Sequence, residues 1–134
     1  METGLPNLAE IRQAADLIYK TMPATPQYAW PLLSQRAGAE VWVKHENHSP
    51  VGAFKLRGGL VYMDWLKRER PEVTTVVSAT RGNHGQSIAL AATRNGIRAV
   101  LVVPYRCRAR TMGPVTMLSV HPAFTHVNIE GHTK

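Results

Sequence analysis

The chain is 134 residues long, close to the usual size of one domain, with 44% hydrophobic and 19% charged residues. That balance fits an ordinary globular α/β or α+β protein and excludes disordered and fibrous classes. No apolar run approaches the ~18–20 residues a membrane span needs. The formal charge of +7 raises nucleic acid as a partner. The basic residues are scattered, however, with clusters only at Lys67, Arg68 and Arg70 and at Arg106, Arg108 and Arg110. The first of these suits the solvated end of a helix, so we expect neither a nucleic-acid nor a membrane partner.

Met1 to Leu17 mixes acids with apolar residues and lacks the basic start and apolar core of a signal peptide, which leads to a cytoplasmic expectation. The lone Cys107 rules out an internal disulfide and fits a reducing compartment. Arg106 and Arg108 beside it favour a thiolate, but no base is placed next to it in the sequence, so it is not read as a nucleophile.

Asn7 precedes "LAEIRQAADLIYK", in which Leu8, Ile11, Ala15 and Ile18 recur at helical spacing. Asn7 with Glu10 three residues later has the form of a capping box, so a helix starts here. A turn-rich connection follows, with Pro23, Pro26 and Pro31. In "EVWVKHE", Val41 and Val43 alternate with Trp42 and Lys44, the two-residue period of a strand. From Ala53 to Arg68 the helical pattern returns, with Leu60, Met63 and Leu66 as the buried stripe, although Gly58 and Gly59 interrupt it.

"VTTVVSA", residues 73–79, is a β-branched strand. A small-residue helix from Gln86 to Asn95 is stopped by Gly96, and "IRAVLVVP", residues 97–104, is a second apolar strand. Strand, glycine-containing turn, helix and strand make a βαβ unit, hence a parallel sheet with a right-handed crossover. Ligands in such sheets gather at the carboxyl ends of the strands, which directs attention to residues 80–86.

That turn, "TRGNHGQ", sets Gly82 and Gly85 around Asn83 and His84 at a helix N-terminus, where unpaired N–H groups and the macrodipole favour an anion. Two readings stand: a carboxylate or phosphate site, or a turn in which Thr80 or Asn83 merely caps the helix. Lys55, in "SPVGAFKLRGG", also has two. It is either a snorkelling surface lysine or, set between Phe54 and Leu56, a partly desolvated amine available for Schiff-base formation.

Taken together, "ENHSPVGAFKLRGG" and "SATRGNHGQSIALAA" resemble the threonine and serine dehydratase branch of pyridoxal-phosphate enzymes of the tryptophan synthase β-like fold. The likeness covers roughly Pro23 to Pro104, with "PLLSQRAGAEVWVKHEN" matching the approach to the lysine. It implies an open, twisted, mostly parallel sheet with helices on both faces, here incomplete relative to the family fold. It also implies pyridoxal 5'-phosphate as cofactor, a small amino-acid substrate and a homo-oligomer in any full-length form. Lys55 would carry the cofactor covalently and then take the α-proton, Phe54 would pack beside it, and Asn83 would hydrogen-bond the ring oxygen. Thr80, Gly82, Asn83 and His84 would cradle the substrate carboxylate. The implied reaction is elimination of water from a β-hydroxy amino acid such as threonine or serine.

The sequence departs from that pattern in three places. Arg81 stands where many relatives have a small residue or the serine used by racemases, which argues against two-base racemisation; it either pairs with a second substrate carboxylate or points to solvent. The only adjacent glycines are Gly58 and Gly59, so the glycine-rich phosphate cradle is missing. Residues 105–134 are expected to be a divergent tail without the next helix and strand, since glycine and proline at 113, 114, 122 and 131 break long elements. His121, His126 and His132 in it lack the paired spacing of a metal site. Residues 1–104 are therefore expected to be the N-terminal part of a catalytic domain in a truncated, frame-shifted or split enzyme. The alternatives are an inactive fragment or interaction module that keeps the signature, and a β-replacement synthase.

Overall fold

The first helix, α1 (Leu8–Tyr19), starts where the capping box places it. The Asn7 side chain accepts from the Glu10 N–H at 3.0 Å and the Glu10 carboxylate accepts from the Asn7 N–H at 2.7 Å. This is a computed structural model, and it describes residues 4–80, 82–104 and 115–120, with the backbone alone for 104 and 115–120.

The proline-rich connection is more ordered than expected. It holds a short strand β1 (Gln27–Ala29) and a helix α2 (Pro31–Ala37). Pro31 sits in the first turn of α2, where its missing N–H costs nothing. Gly38 ends that helix at φ +66°, a left-handed conformation that favours glycine. The strand read in "EVWVKHE" shortens to β2 (Trp42–Lys44) and pairs antiparallel with β1, Tyr28 facing Val43. This hairpin lies outside the parallel sheet.

A 3₁₀ turn (Glu46–His48) leads into α3 (Lys55–Glu69), which buries Leu56 as well as Leu60, Met63 and Leu66. Strand β3 (Thr75–Ala79), α4 (Asn83–Arg94) and β4 (Arg98–Pro104) form the expected βαβ unit, β3 and β4 pairing in parallel. Helix α4 starts three residues before the expected Gln86. At its other end Gly96 (φ +67°) donates to the Thr93 carbonyl and Ile97 to that of Ala92, a Schellman stop. Beyond Pro104, β5 (Val115–Val120) adds a third parallel strand next to β4, where no further strand was expected.

One face of this sheet is covered and the other is open. On the covered face Val76 lies beside Ala99 and Ser78 beside Leu101. Ala99, Leu101 and Val103 are buried there with Ile88, Ala91 and Ala92 of α4 and the buried stripe of α3. On the opposite face Val77, paired with Val100, is 69% exposed. The expected helices on both faces are thus present on one face among the described residues. Parallel sheets are normally covered on both.

Candidate active site

The site forms where β3 ends and α4 begins, with the start of α3 alongside. The Thr80 N–H donates to the Val102 carbonyl at 3.0 Å, holding the strand end to β4. The Thr80 hydroxyl oxygen then accepts from the N–H groups of Gly82 (3.2 Å) and Gly85 (3.1 Å). The capping reading of Thr80 is therefore satisfied by its hydroxyl, acting from two residues before the N-cap Gly82. Among the described residues no acceptor meets the N–H groups of Asn83 and His84. These exposed donors remain for an anion.

The lysine loop is braced from within. The Ser49 hydroxyl accepts from the Ala53 N–H at 2.9 Å and donates to the Ala53 carbonyl at 3.0 Å. Gly52 turns the chain at φ +67°. Phe54 and Lys55 follow, Lys55 as the first residue of α3. Both are exposed, Phe54 at 63%, so the desolvation expected of Lys55 from its neighbours is not found in the described chain.

Two helix starts thereby open on one cavity of about 630 Å³. Phe54, Lys55, Thr80, Gly82, Asn83 and His84, six residues singled out from sequence, all line it. Arg81, Cys107 and the three tail histidines lie outside the described residues. Among the described residues, no three His, Cys, Asp or Glu side chains gather to hold a metal, and no helix is long and apolar enough to cross a membrane.

The sequence assigned no role to Glu46 and Asn47, which line the same cavity. Glu46 is the centre of a polar cluster. Arg57 donates to it twice, Nε to Oε2 at 2.9 Å and Nη2 to Oε1 at 3.0 Å, in a fork-to-fork pair. The buried Thr25 hydroxyl donates to Oε1 at 2.6 Å, and Lys44 Nζ lies 3.8 Å away. The Arg57 hydrogen bonds hold the Glu46 carboxyl below its ordinary range, against a smaller opposing effect of burial. The same bonds push the Arg57 guanidinium further up. The only sequence signal was the spacing of Glu46 and Arg57 around the lysine.

A pyridoxal phosphate fits part of this donor set. An exposed primary amine, an amide side chain and two N–H groups without an acceptor among the described residues border a cavity large enough for the ring and an amino acid. A cradle for the phosphate is not found among the described residues.

Comparison with known proteins agrees. The profile of the family described as "Pyridoxal-phosphate dependent enzyme" matches residues 18–119. The chain belongs to that family. It is 41% identical over 87 residues to the chloroplastic biosynthetic threonine dehydratase 1 of Solanum lycopersicum, covering 65% of this chain and 14% of the relative. It is 36% identical over 87 residues to the biosynthetic L-threonine dehydratase of Haemophilus influenzae, covering 65% of this chain and 17% of the relative. Among solved structures it superposes on a pyridoxal 5'-phosphate-dependent aspartate racemase with a TM-score of 0.73 and 27% identity, over 88% of this chain and 40% of the other. The chain thus spans about a sixth of the length of these curated relatives. The family match runs past Pro104 to residue 119, through most of β5.

Proposed function

We propose that this chain supplies the lysine-bearing wall of a pyridoxal-phosphate-dependent lyase that removes water from a β-hydroxy amino acid such as threonine or serine. The products are a 2-keto acid and ammonia. The observation that carries this reading is the convergence of Lys55 with the exposed start of α4 at Asn83 and His84, whose N–H groups meet no acceptor among the described residues, on one cavity at the carboxyl end of β3. The similarity to threonine dehydratases supports the substrate class.

When bound, the cofactor supplies an electron sink for the α-carbon. In this reading Lys55 Nζ would hold the cofactor and would also accept the substrate's α-proton. The N–H groups of Asn83 and His84 grip the substrate carboxylate, so the α-hydrogen is presented to the lysine rather than left to rotate. The Asn83 amide would hydrogen-bond the cofactor and Phe54 would pack beside it, both lining the cavity. Thr80 holds the first turn of α4 in shape through its bonds to Gly82 and Gly85.

The test is borohydride reduction of the chain mixed with pyridoxal phosphate, with peptide mapping, followed by keto-acid assays on threonine and serine. Selective label on Lys55, lost in Lys55→Ala, supports the reading. Label spread evenly over surface lysines overturns it. A second reading, a chain that keeps the signature without turnover, is favoured by the lack of a phosphate cradle among the described residues. Selective labelling with no keto acid from either substrate is its expected result. A β-replacement synthase instead turns over only when a second nucleophile is added.

A further inference from the structure

Ser87 is 1% exposed, a hydroxyl set among the apolar residues Ile88, Ala91 and Ala92 of α4. A buried hydroxyl needs a partner. Its partner is the carbonyl oxygen of Lys55, which accepts from Ser87 Oγ at 2.7 Å, the ideal length for an O–H···O bond. A carbonyl has two lone pairs, so Lys55 can accept this bond as well as the helical one from the residue four positions on.

That residue is Gly59, and it faces Ser87. A Cβ built on Gly59 stands 2.5 Å from Ser87 Oγ, 3.4 Å from the Ser87 carbonyl oxygen and 3.5 Å from Ala91 Cβ, so the hydroxyl would have to swing away from the Lys55 carbonyl to make room. The positive-φ glycines among the described residues are Gly38, Gly52 and Gly96, so backbone conformation does not require glycine at 59. Glycine inside a helix is less favourable than alanine. The reason for accepting that loss in α3 is steric: the space opposite is taken by the Ser87 hydroxyl.

We infer that Ser87 is a positioning residue for Lys55, with Gly59 as the space that admits it. The bond ties the backbone of the cofactor-bearing residue to α4 one turn beyond Asn83, so the base of the lysine and the N–H groups of Asn83 and His84 move as one unit. A lysine side chain is flexible and rich in rotamers. A fixed base restricts the volume its amine explores to the cavity mouth. This inference rests on the reading of Lys55 as the cofactor lysine, and its test separates the two.

Four forms of the chain are compared: wild type, Ser87→Ala, Gly59→Ala, and Ser87→Gly combined with Gly59→Ala. Three quantities are read: melting temperature, amide hydrogen exchange over residues 55–60 without cofactor, and the pyridoxal phosphate concentration giving half-maximal borohydride label on Lys55. Gly59→Ala alone lowers the melting temperature, and the double variant restores it because the clash is gone. Neither Ser87→Ala nor the double variant regains the tether. Both show faster exchange over 55–60 and need about tenfold more cofactor to label Lys55, with Lys20 and Lys67 labelling unchanged. A merely structural Ser87 leaves the double variant like wild type in all three measurements, which overturns the inference. If wild-type Lys55 shows no selective label, the cofactor reading fails. Exchange then decides the tether by itself, and unchanged exchange in Ser87→Ala refutes it.

Discussion

The substitution Glu46→Gln keeps the shape of the side chain that joins the 3₁₀ turn to α3 and removes its charge. In the native chain the carboxylate accepts two bonds from Arg57 and one from Thr25, with both ion-pair side chains about one-fifth exposed. Gln retains one acceptor oxygen and turns the other position into a donor facing a guanidinium. One charge-assisted bond, about 1.5–3 kcal/mol, is therefore lost. Partial access of water to Arg57 moderates this to roughly 2 kcal/mol. For a chain of this size about 4 °C accompanies each kcal/mol, so the melting temperature falls by roughly 8 °C. The pH dependence is the sharper test. Because the folded pKa of Glu46 is depressed, its contribution is fully present above the unfolded value of ~4.3. It is lost as pH falls through the lower folded value. Urea denaturation of both proteins at pH 7 and across the acid range should show a stability gap that is constant above pH ~5 and closes below pH ~4. A gap that stays the same into strong acid, or no gap at pH 7, refutes the account of Glu46 as an ionised clamp.

Gly85→Ala places a Cβ 2.6 Å from Thr80 Cγ2 and 3.4 Å from Leu101 Cδ1, which should cost about 1–3 kcal/mol by overpacking; thermal unfolding unchanged within a degree would contradict it. Asn83→Ala should shift the absorbance of bound pyridoxal phosphate and weaken its retention about tenfold, the equivalent of one ~1.4 kcal/mol hydrogen bond. An unchanged spectrum and affinity would remove Asn83 from the ring. Ala91→Val adds bulk at a fully buried point where α4 meets α3. It should destabilise the chain by about 1–3 kcal/mol, whereas Val77→Thr on the open sheet face should stay within about 0.5 kcal/mol. Chemical denaturation of the two variants side by side checks the contrast, and equal losses would mean that the open face is packed.

The βαβ unit was legible because its signals are long and local: a β-branched run, a glycine turn, an apolar helix stripe and a second run. Of the hairpin only β2 was, through the alternation in "EVWVKHE"; β1 has three residues, all exposed, so neither a period nor apolar character marked it. In α2, proline was read as a breaker when it stood in the first turn, with Gly38 at the other end completing the pair of helix signals. The start of α4 was read three residues late although Thr80 was among the caps weighed, because its hydroxyl acts from two residues before the N-cap Gly82 and reaches the helix's first turn. Lys55 and Asn83 were found through their motifs, whereas Glu46 and Ser87 act through partners 11 and 32 positions away. Spacing along a chain does not reveal which distant carbonyl a hydroxyl will meet.

The geometry that matters most for the proposed chemistry, the placement of Lys55 relative to the N–H groups of Asn83 and His84, depends on the packing of α3 against α4. Helices α3 and α4 meet through Gly59, Ser87 and Ala91, and the small side chains there let the two backbones approach. Both helices begin at the same cavity, so a displacement along that contact moves Lys55 relative to Asn83 directly. The sheet enters through Thr80, which anchors α4 to the end of β3 and to Val102 of β4, and through Leu101, which packs beside Gly85 of α4. Substitutions on the open face, two layers away from the contact, therefore have no direct route to the site. The contact between α3 and α4 tolerates little change, because in a close-packed interior one added methyl must displace a backbone or break the bond to Lys55. The match to full-length relatives, of which it spans a small fraction, makes the phosphate grip the element to seek outside the described residues.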